Sequence, residues 1–318
     1  MADTVPYITV AICTYDRYDF LSKAIDSVLA QDLDPDLFDL MVIDNTPKGE
    51  ARAASAAAYA DNPRVDYVTE DTPGLANARN VALARSTAEY VLFLDDDAVA
   101  QPGWLRALHD TLQAGKGTIG VIGGRVLPDF AVPRPAWLHE TLAAFLSIVD
   151  QPGEAGRPLA PGELIVGANI GCRRKLALQL GGFDVALGRQ GAASASLMSG
   201  EEDMLIRRVI DAGRGVFYCG AAVVHHHIPA ERLTRDWFRR RAAWQGVGEQ
   251  KLYGSPPAEK AAQMWELVDA ISGDGPGQLS GLYRDTDDPE VFLRQVMALR
   301  HLTRLLLSAG RVETDLRD

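Results

Sequence analysis

This sequence predicts an α/β fold: a mostly parallel sheet flanked by helices, followed by a C-terminal helical extension. Three observations carry that expectation. Short apolar, β-rich runs alternate with helix-spaced repeats from Tyr7 to Leu112, the pattern of a sheet covered on both faces. Polar and acidic residues stand directly behind the apolar runs, where open α/β sheets bind ligands. After His227 the chain turns basic and helical.

Taken in order, Tyr7–Cys13 is the first apolar run, and Phe20, Leu21, Ala24, Ile25, Val28 and Leu29 then recur at helical spacing. Phe38–Ile43 is a second strand ending at Asp44-Asn45, and the alanine-rich stretch Glu50–Tyr59 a second helix. A short strand at Val65–Val68 precedes a helix at Leu75–Ala84. Tyr90–Leu94 offers five apolar or aromatic residues in a row, as a strand buried on both faces requires. Trp104–Leu112 is helical again. Prolines and glycines break the pattern between Pro128 and Gly162, around one helical stretch near Leu138–Ile148. Regularity returns with Leu164–Ile170, helices at Arg173–Leu180 and Glu202–Ala212, and the strand Val216–Val224. Helices near Arg232–Gln245, Ala258–Ile271 and Pro289–Ala309 close the chain. The last presents a broad apolar face (Val291, Phe292, Val296, Leu299, Leu302, Leu306), read as packing onto the body, with peripheral membrane contact the lesser alternative.

Composition excludes several classes. The 318 residues are 47% hydrophobic and 24% charged, ordinary for a globular protein. A net charge of −11 argues against a nucleic-acid partner, which demands a basic face. No stretch approaches the roughly 20 apolar residues of a membrane span, and no basic-then-apolar leader is evident. Cys13, Cys172 and Cys219 lack metal-ligand spacing, so a reduced, cytoplasmic setting is the default.

The chemistry concentrates at Asp95-Asp96-Asp97, directly behind Tyr90–Leu94. Two unit charges 4 Å apart repel by about 4 kcal/mol at an effective dielectric near 20. A divalent cation removes that penalty, and an oxygen-rich site suits Mg²⁺ or Mn²⁺. Thr14-Tyr15-Asp16-Arg17 follows the first strand and Asp44-Asn45 the second. Gly74–Asn80 opens a helix whose start, with Arg79, suits an anion. A second acidic cluster, Glu201-Glu202-Asp203, begins another helix; capping explains one carboxylate there, and a general base is the functional reading. His225-His226-His227 ends a strand, so His226 faces away from the other two and at most one or two reach a common site.

In order and spacing, Val10–Arg17, Val42–Asn45, Gly74–Asn80 and Leu94–Asp97 resemble the nucleotide-sugar half of family 2 glycosyltransferases with the Rossmann-like GT-A fold. Gly167-Ala168-Asn169, Gly181–Asp184, Gly200–Asp203 and His226–Pro229 are similar to the acceptor half of bacterial, inverting members. The likeness covers roughly residues 5 to 245. It implies a donor-binding half over residues 1–125, an acceptor-binding half over 126–228 and a helical extension over 229–318. It further implies that Thr14, Tyr15 and Asp44 line the base and ribose pocket, with Arg17 nearby, and that Asn77 and Arg79 approach the base and diphosphate. Asp95-Asp96-Asp97 matches the family's D-x-D pattern, with Asp97 as metal ligand, Asp95 and Asp96 toward the donor, and His226 beside the metal or diphosphate. Asn169 and Glu201 fall on the acceptor side. The family usually shows Glu-Asp where this chain has Glu-Glu-Asp. Counting back from Leu205, Arg208 and Ala212-Gly213 makes Glu202 the base, whereas the literal pair makes it Asp203.

The expected reaction moves a sugar from a nucleotide-diphosphate donor, a UDP-sugar by family habit, to a hydroxyl with inversion. The acceptor is a glycan, a lipid-linked sugar or a small natural product. A rival reading takes Leu92–Val99 as the strand-Asp-x-Asp pattern of haloacid-dehalogenase-like phosphohydrolases, using Asp95 and Asp97. A non-catalytic nucleotide-sugar binder is the third. Sugar nucleotidyltransferases carry a glycine-rich basic loop after the first strand, and Cys13–Asp16 has none.

Overall fold

The computed structural model describes residues 6–189, 196–272 and 279–310. The chain forms two compact units. One holds the sheet and the first six helices; the other holds residues 130–146, a short stretch before Glu201 and everything from Ile228 onward.

In the first unit, β1 (Ile8–Thr14), α1 (Tyr18–Leu29), β2 (Phe38–Asp44), α2 (Glu50–Tyr59), β3 (Val65–Thr69), α3 (Leu75–Arg85) and β4 (Tyr90–Asp95) follow one another as the apolar periodicity predicts. Then come β5 (Ala98–Ala100), α4 (Trp104–Ala114), β6 (Ile119–Phe130), β7 (Gly156–Pro158), β8 (Asn169–Arg173), α5 (Arg174–Gln179), α6 (Glu201–Asp211) and β9 (Gly215–Ile228). The sheet runs β3-β2-β1-β4-β8-β6-β9-β5, with β7 paired to β9. Its first four strands are parallel, and β4–β8, β6–β8, β5–β9 and β7–β9 are antiparallel. The parallel part thus ends at β4, and the second half of the sheet is antiparallel.

Alternate side chains of the central strands enter two separate cores. Ile8, Val10 and Ile12, with Leu40, Val42, Leu92 and Leu94, pack under α1 and α4 through Leu21, Ile25, Val28, Trp104 and Leu108. Ala11, Met41, Ile43, Val91 and Phe93 pack under α3 and α6 through Ala78, Ala82, Leu83, Leu205 and Val209. Burying each Val, Leu or Phe contributes about 1.5–3 kcal/mol, which is why these strands read as unbroken apolar runs.

Departures from the sequence reading have local causes. The regular stretch expected at Leu164–Ile170 becomes a strand only at Asn169, and the helical stretch near Leu138–Ile148 is a 3₁₀ turn over Glu140–Leu146. β6 went unanticipated because three glycines (Gly120, Gly123, Gly124) interrupt its apolar pattern.

In the second unit α7 (Arg235–Tyr253), α8 (Ala258–Ser272), α9 (Ser280–Tyr283) and α10 (Pro289–Ser308) follow in order. Asp288 caps α10 by accepting from the Glu290 and Val291 N–H groups at 2.9 and 3.2 Å, with Pro289 in its first turn. The apolar face of α10 packs inward, Phe292 meeting Trp137 at a ring separation of 4.8 Å. Among the described residues no helix is long and apolar enough to cross a membrane.

Candidate active site

Three adjacent parallel strands end in register, Thr14 beside Asp44 and Cys13 beside Asp95. After β1 the chain turns sharply at Asp16, whose φ of 56° lies in the left-handed region that aspartate tolerates. The Asp16 N–H donates to Thr46 Oγ1 at 2.9 Å. That turn swings Arg17 over the acidic run. Its Nη1 meets Asp96 Oδ1 at 3.2 Å and also bonds Asp97 Oδ2. Thr14 Oγ1 donates to the other Asp96 oxygen at 2.7 Å. Burial pushes the Asp96 carboxyl up to about 6; Arg17 opposes the shift and Asp97 adds to it.

On β9, His226 pairs with Ala98 of β5, and its Nε2 lies 3.2 Å from Asp97 Oδ1. His225 instead meets Gln101, and His227 stacks on Phe20 at 4.6 Å with Asp129 at 3.5 Å. Ligand atoms of Asp95, Asp97 and His226 all lie within 4.8 Å of one another. Opposite ligands of an octahedral Mg²⁺-sized ion stand about 4.2 Å apart, so the spacing and the hard oxygen and imidazole donors fit Mn²⁺ or Mg²⁺.

Arg79 joins this cluster to the second acidic run. Although it begins near an expected anion site, its guanidinium is buried, and α6 supplies its partners. Nη1 meets Glu202 Oε1 at 2.9 Å and Glu201 Oε1 at 3.1 Å, and Nη2 lies 3.7 Å from Asp95 Oδ1. Phe93 and Phe183 rings flank it at 5.8 and 5.3 Å. Burial and the neighbouring Glu202 push the Glu201 carboxyl up to about 8. Burial works against ionised Glu202 too, but Arg79 outweighs it and holds Glu202 below the usual carboxylate value. Gly167 makes the approach feasible: a Cβ there would stand 2.1 Å from Glu202 Oε1 and 2.3 Å from Arg79 Nη2. Asp203, one residue on, is exposed.

Other expected site residues are placed differently. Asp44 is fully buried and accepts from Tyr67 (2.6 Å), Tyr18 (3.0 Å) and the Thr46 N–H (3.0 Å). Asn77, half-buried, donates to the Thr72 carbonyl at 2.9 Å. Tyr15 is half-buried at the same turn as Thr14. Asn169 stands in a different network: Trp104 Nε1 donates to it at 3.0 Å, and its amide donates to the Arg125 and Ala222 carbonyls at 3.1 and 2.9 Å. Both ends of that side chain therefore tie α4, β6 and β9 together. Sequence reasoning passed over Tyr18 and Tyr67, whose hydroxyls hold Asp44. Asn80, at the end of the expected Gly74–Asn80 segment, exchanges two hydrogen bonds with the Phe183 backbone at 2.8 Å. Aromatics on a helix and an edge strand read as core, and no local signal marks them.

The family model for glycosyl transferase family 2 matches residues 9–181, from β1 past α5. The chain belongs to that family. It is 29% identical over 266 residues to the glucosyl-dolichyl phosphate glucuronosyltransferase of Haloferax volcanii, spanning 82% of this chain and 83% of that protein. It is 28% identical over 282 residues to succinoglycan biosynthesis protein ExoM of Rhizobium meliloti, spanning 84% and 82%. Among solved structures, a mannosyltransferase from Pyrobaculum calidifontis in complex with GDP-Man and Mn²⁺ matches with a TM-score of 0.61 at 18% identity, over 94% of this chain and 87% of that one. That likeness shows the fold, which is GT-A. Membership in family 2 makes the protein a glycosyltransferase and removes both the phosphohydrolase and the non-catalytic readings.

Proposed function

We propose that this family 2 enzyme is a divalent-metal-dependent, inverting transferase that moves a sugar from a nucleotide-diphosphate donor, a UDP-sugar in first place, to an acceptor hydroxyl in the cytoplasm. The observation that carries the reading is Arg79, which sets Glu202 one guanidinium away from Asp95 and so joins a base to a metal cluster. Asp95, Asp97 and His226 would hold Mn²⁺ or Mg²⁺, which when bound neutralises the charge growing on the leaving diphosphate. Thr14, Tyr15, Arg17 and Asn77 line the donor side, with Asp44 buried behind them on Tyr18 and Tyr67, and Arg17 brings a cation to the diphosphate end. Glu202, ionised and partly open, takes the proton of the acceptor hydroxyl as its oxygen bonds C1 and the C1–phosphate oxygen bond breaks on the opposite face. Glu202 meets Arg79 at 2.9 Å beside Asp95, which favours Glu202 over the exposed Asp203. Asn169, spent on the sheet, is assigned no acceptor contact. The relative named for glucosyl-dolichyl phosphate supports placing a lipid-linked sugar first among acceptors.

A thermal-shift panel of UDP-, GDP- and dTDP-sugars with and without Mn²⁺ tests the donor side, since a ligand that binds only the folded protein raises its melting temperature. One donor should shift melting only with metal present. Glu202→Gln should keep that shift and lose turnover by about 10²–10⁴-fold. Absence of any metal-dependent shift, or an active Glu202→Gln, refutes the reading.

A further inference from the structure

We propose that Glu201 is a positioning residue which carries a shared proton and thereby holds Glu202 as an aimed carboxylate; the positioning role rests on Glu202 being the base. The argument begins with charge. Three carboxylates (Asp95, Glu201, Glu202) surround the single guanidinium of Arg79. With Asp95 counted toward the cation that it would hold with Asp97 and His226, ionising both glutamates still leaves one uncompensated negative charge around a group whose side chain is only 1% exposed. Taking one proton removes that excess. Exposure decides where it goes: the side chain of Glu201 is 2% exposed, that of Glu202 16% and that of Asp95 29%, so Glu201 has the least water to solvate a charge.

The surroundings agree. Groups facing Glu201 are Arg79 from α3, Asp95 of β4 across that guanidinium, and Glu202 on its own helix. The Cys13 and Cys172 thiols, on β1 and β8 beside Arg79, are pushed up to about 12 by burial and stay neutral. Gly188, at φ 83°, closes the other side: a Cβ there would stand 2.9 Å from the Glu201 carboxyl carbon. Among the described residues no donor reaches Glu201 Oε2, an arrangement suited to a carboxylic acid and costly for a carboxylate. A hydrogen bond between the two carboxyls favours the proton on Glu201 and the charge on Glu202, in accord with their opposite shifts. Together with Arg79, it fixes Glu202 from two sides. Near pH 8 and above, Glu201 loses its proton, the bond is lost and the two carboxylates repel, so the base loses its aim.

The test uses the full chain and four proteins: wild type, Glu201→Gln, Glu201→Ala and Glu202→Gln. Wild-type kcat should fall on an alkaline limb centred near pH 8, and Glu201→Gln, whose amide donates at every pH, should remove that limb while keeping most turnover at pH 7. Glu201→Ala should lower kcat at pH 7 by about ten- to a hundredfold, the worth of one hydrogen bond to a charged group, with donor KM nearly unchanged. Independently of activity, infrared spectra of wild type should show a protonated-carboxyl band that fades near pH 8 and is missing from Glu201→Gln, distinct from that of Asp96, which fades near pH 6 in both proteins. A limb that persists in Glu201→Gln, or no such band in wild type, overturns the proposal. An active Glu202→Gln overturns the base assignment and the positioning role, while the band still reports the proton by itself.

Discussion

Replacing Arg79 with methionine isolates a buried charge cluster of one guanidinium and three carboxylates. Methionine keeps an unbranched stem and removes the guanidinium that the Phe93 and Phe183 rings flank. That group faces carboxylates at 2.9, 3.1 and 3.7 Å, and removing one partner of a buried ion cluster costs about 3–5 kcal/mol. For a domain of this size each kcal/mol lowers the melting temperature by about 2–4 °C, so Arg79→Met should melt about 6–20 °C below wild type at pH 8. The sign of the pH dependence follows from linkage. Without Arg79 the buried carboxyls bind protons more tightly in the folded than in the unfolded chain, so stability rises as pH falls. Wild-type Glu201 already keeps its proton below about 8, so the deficit that changes below that pH comes from Glu202, which Arg79 holds under its ordinary 4.5, and it shrinks as pH falls toward that value. The deficit should be largest above pH 8 and shrink markedly by pH 5.5. Adding Glu201→Gln removes one of the stranded charges and should restore part of the loss, a coupling measurable by a double-mutant cycle. Melts followed by circular dichroism at pH 5.5, 7 and 8.5 suffice. An Arg79→Met protein melting within about 2 °C of wild type at pH 8.5 would mean the cluster stores far less than the roughly 3 kcal/mol expected.

Further outcomes follow from the same geometry. Asp97→Asn should lose Mn²⁺ binding by about a hundredfold or more in titration calorimetry, since a charged ligand of the cluster is gone. His226→Ala should weaken Mn²⁺ by about ten- to a hundredfold, whereas His225→Ala and His227→Ala should leave it within error, their side chains meeting Gln101 and Phe20 instead. Asn169→Ala strands the Trp104 N–H and two backbone carbonyls. It should cost about 2–4 kcal/mol in urea unfolding, with acceptor KM unchanged in whatever protein remains folded.

The parallel half of the sheet was legible because each of its strands is an apolar run bracketed by polar residues, and period alone assigns it. β6 was not, because its glycines spoil the pattern. Asp95-Asp96-Asp97 could be placed at a strand end from local sequence, since burial of Tyr90–Leu94 dictates where the strand stops. The environment of Arg79 could not. Its partners lie more than 120 residues away on α6, and a helix start bearing an arginine looks the same whether that arginine meets a diphosphate or two glutamates. Strand alternation separated His226 from its two neighbours, but the choice of face needed the pairing of β9 with β5, two strands 120 residues apart in the chain.

Why these residues converge at all is a matter of topology. β1, β2 and β4 run parallel, so Thr14, Asp44 and Asp95 arrive at one edge from three separate segments. Strand order reverses between β1 and β4, and at such a switch point the connections on either side diverge outside the strand ends. The chain after Asp97 turns into β5, whose antiparallel partner β9 brings His226 back to that edge. Meanwhile α6 begins on the face covered by α3, which carries Arg79, so its first turn delivers Glu201 and Glu202 to the guanidinium. The positive end of the α6 dipole favours ionised carboxylate there, yet Arg79, already facing Asp95, cannot by itself neutralise both Glu201 and Glu202. A retained proton is therefore a consequence of how the strands and helices are ordered, and any substitution that adds or removes charge at Arg79, Glu201 or Glu202 has to be read against that balance.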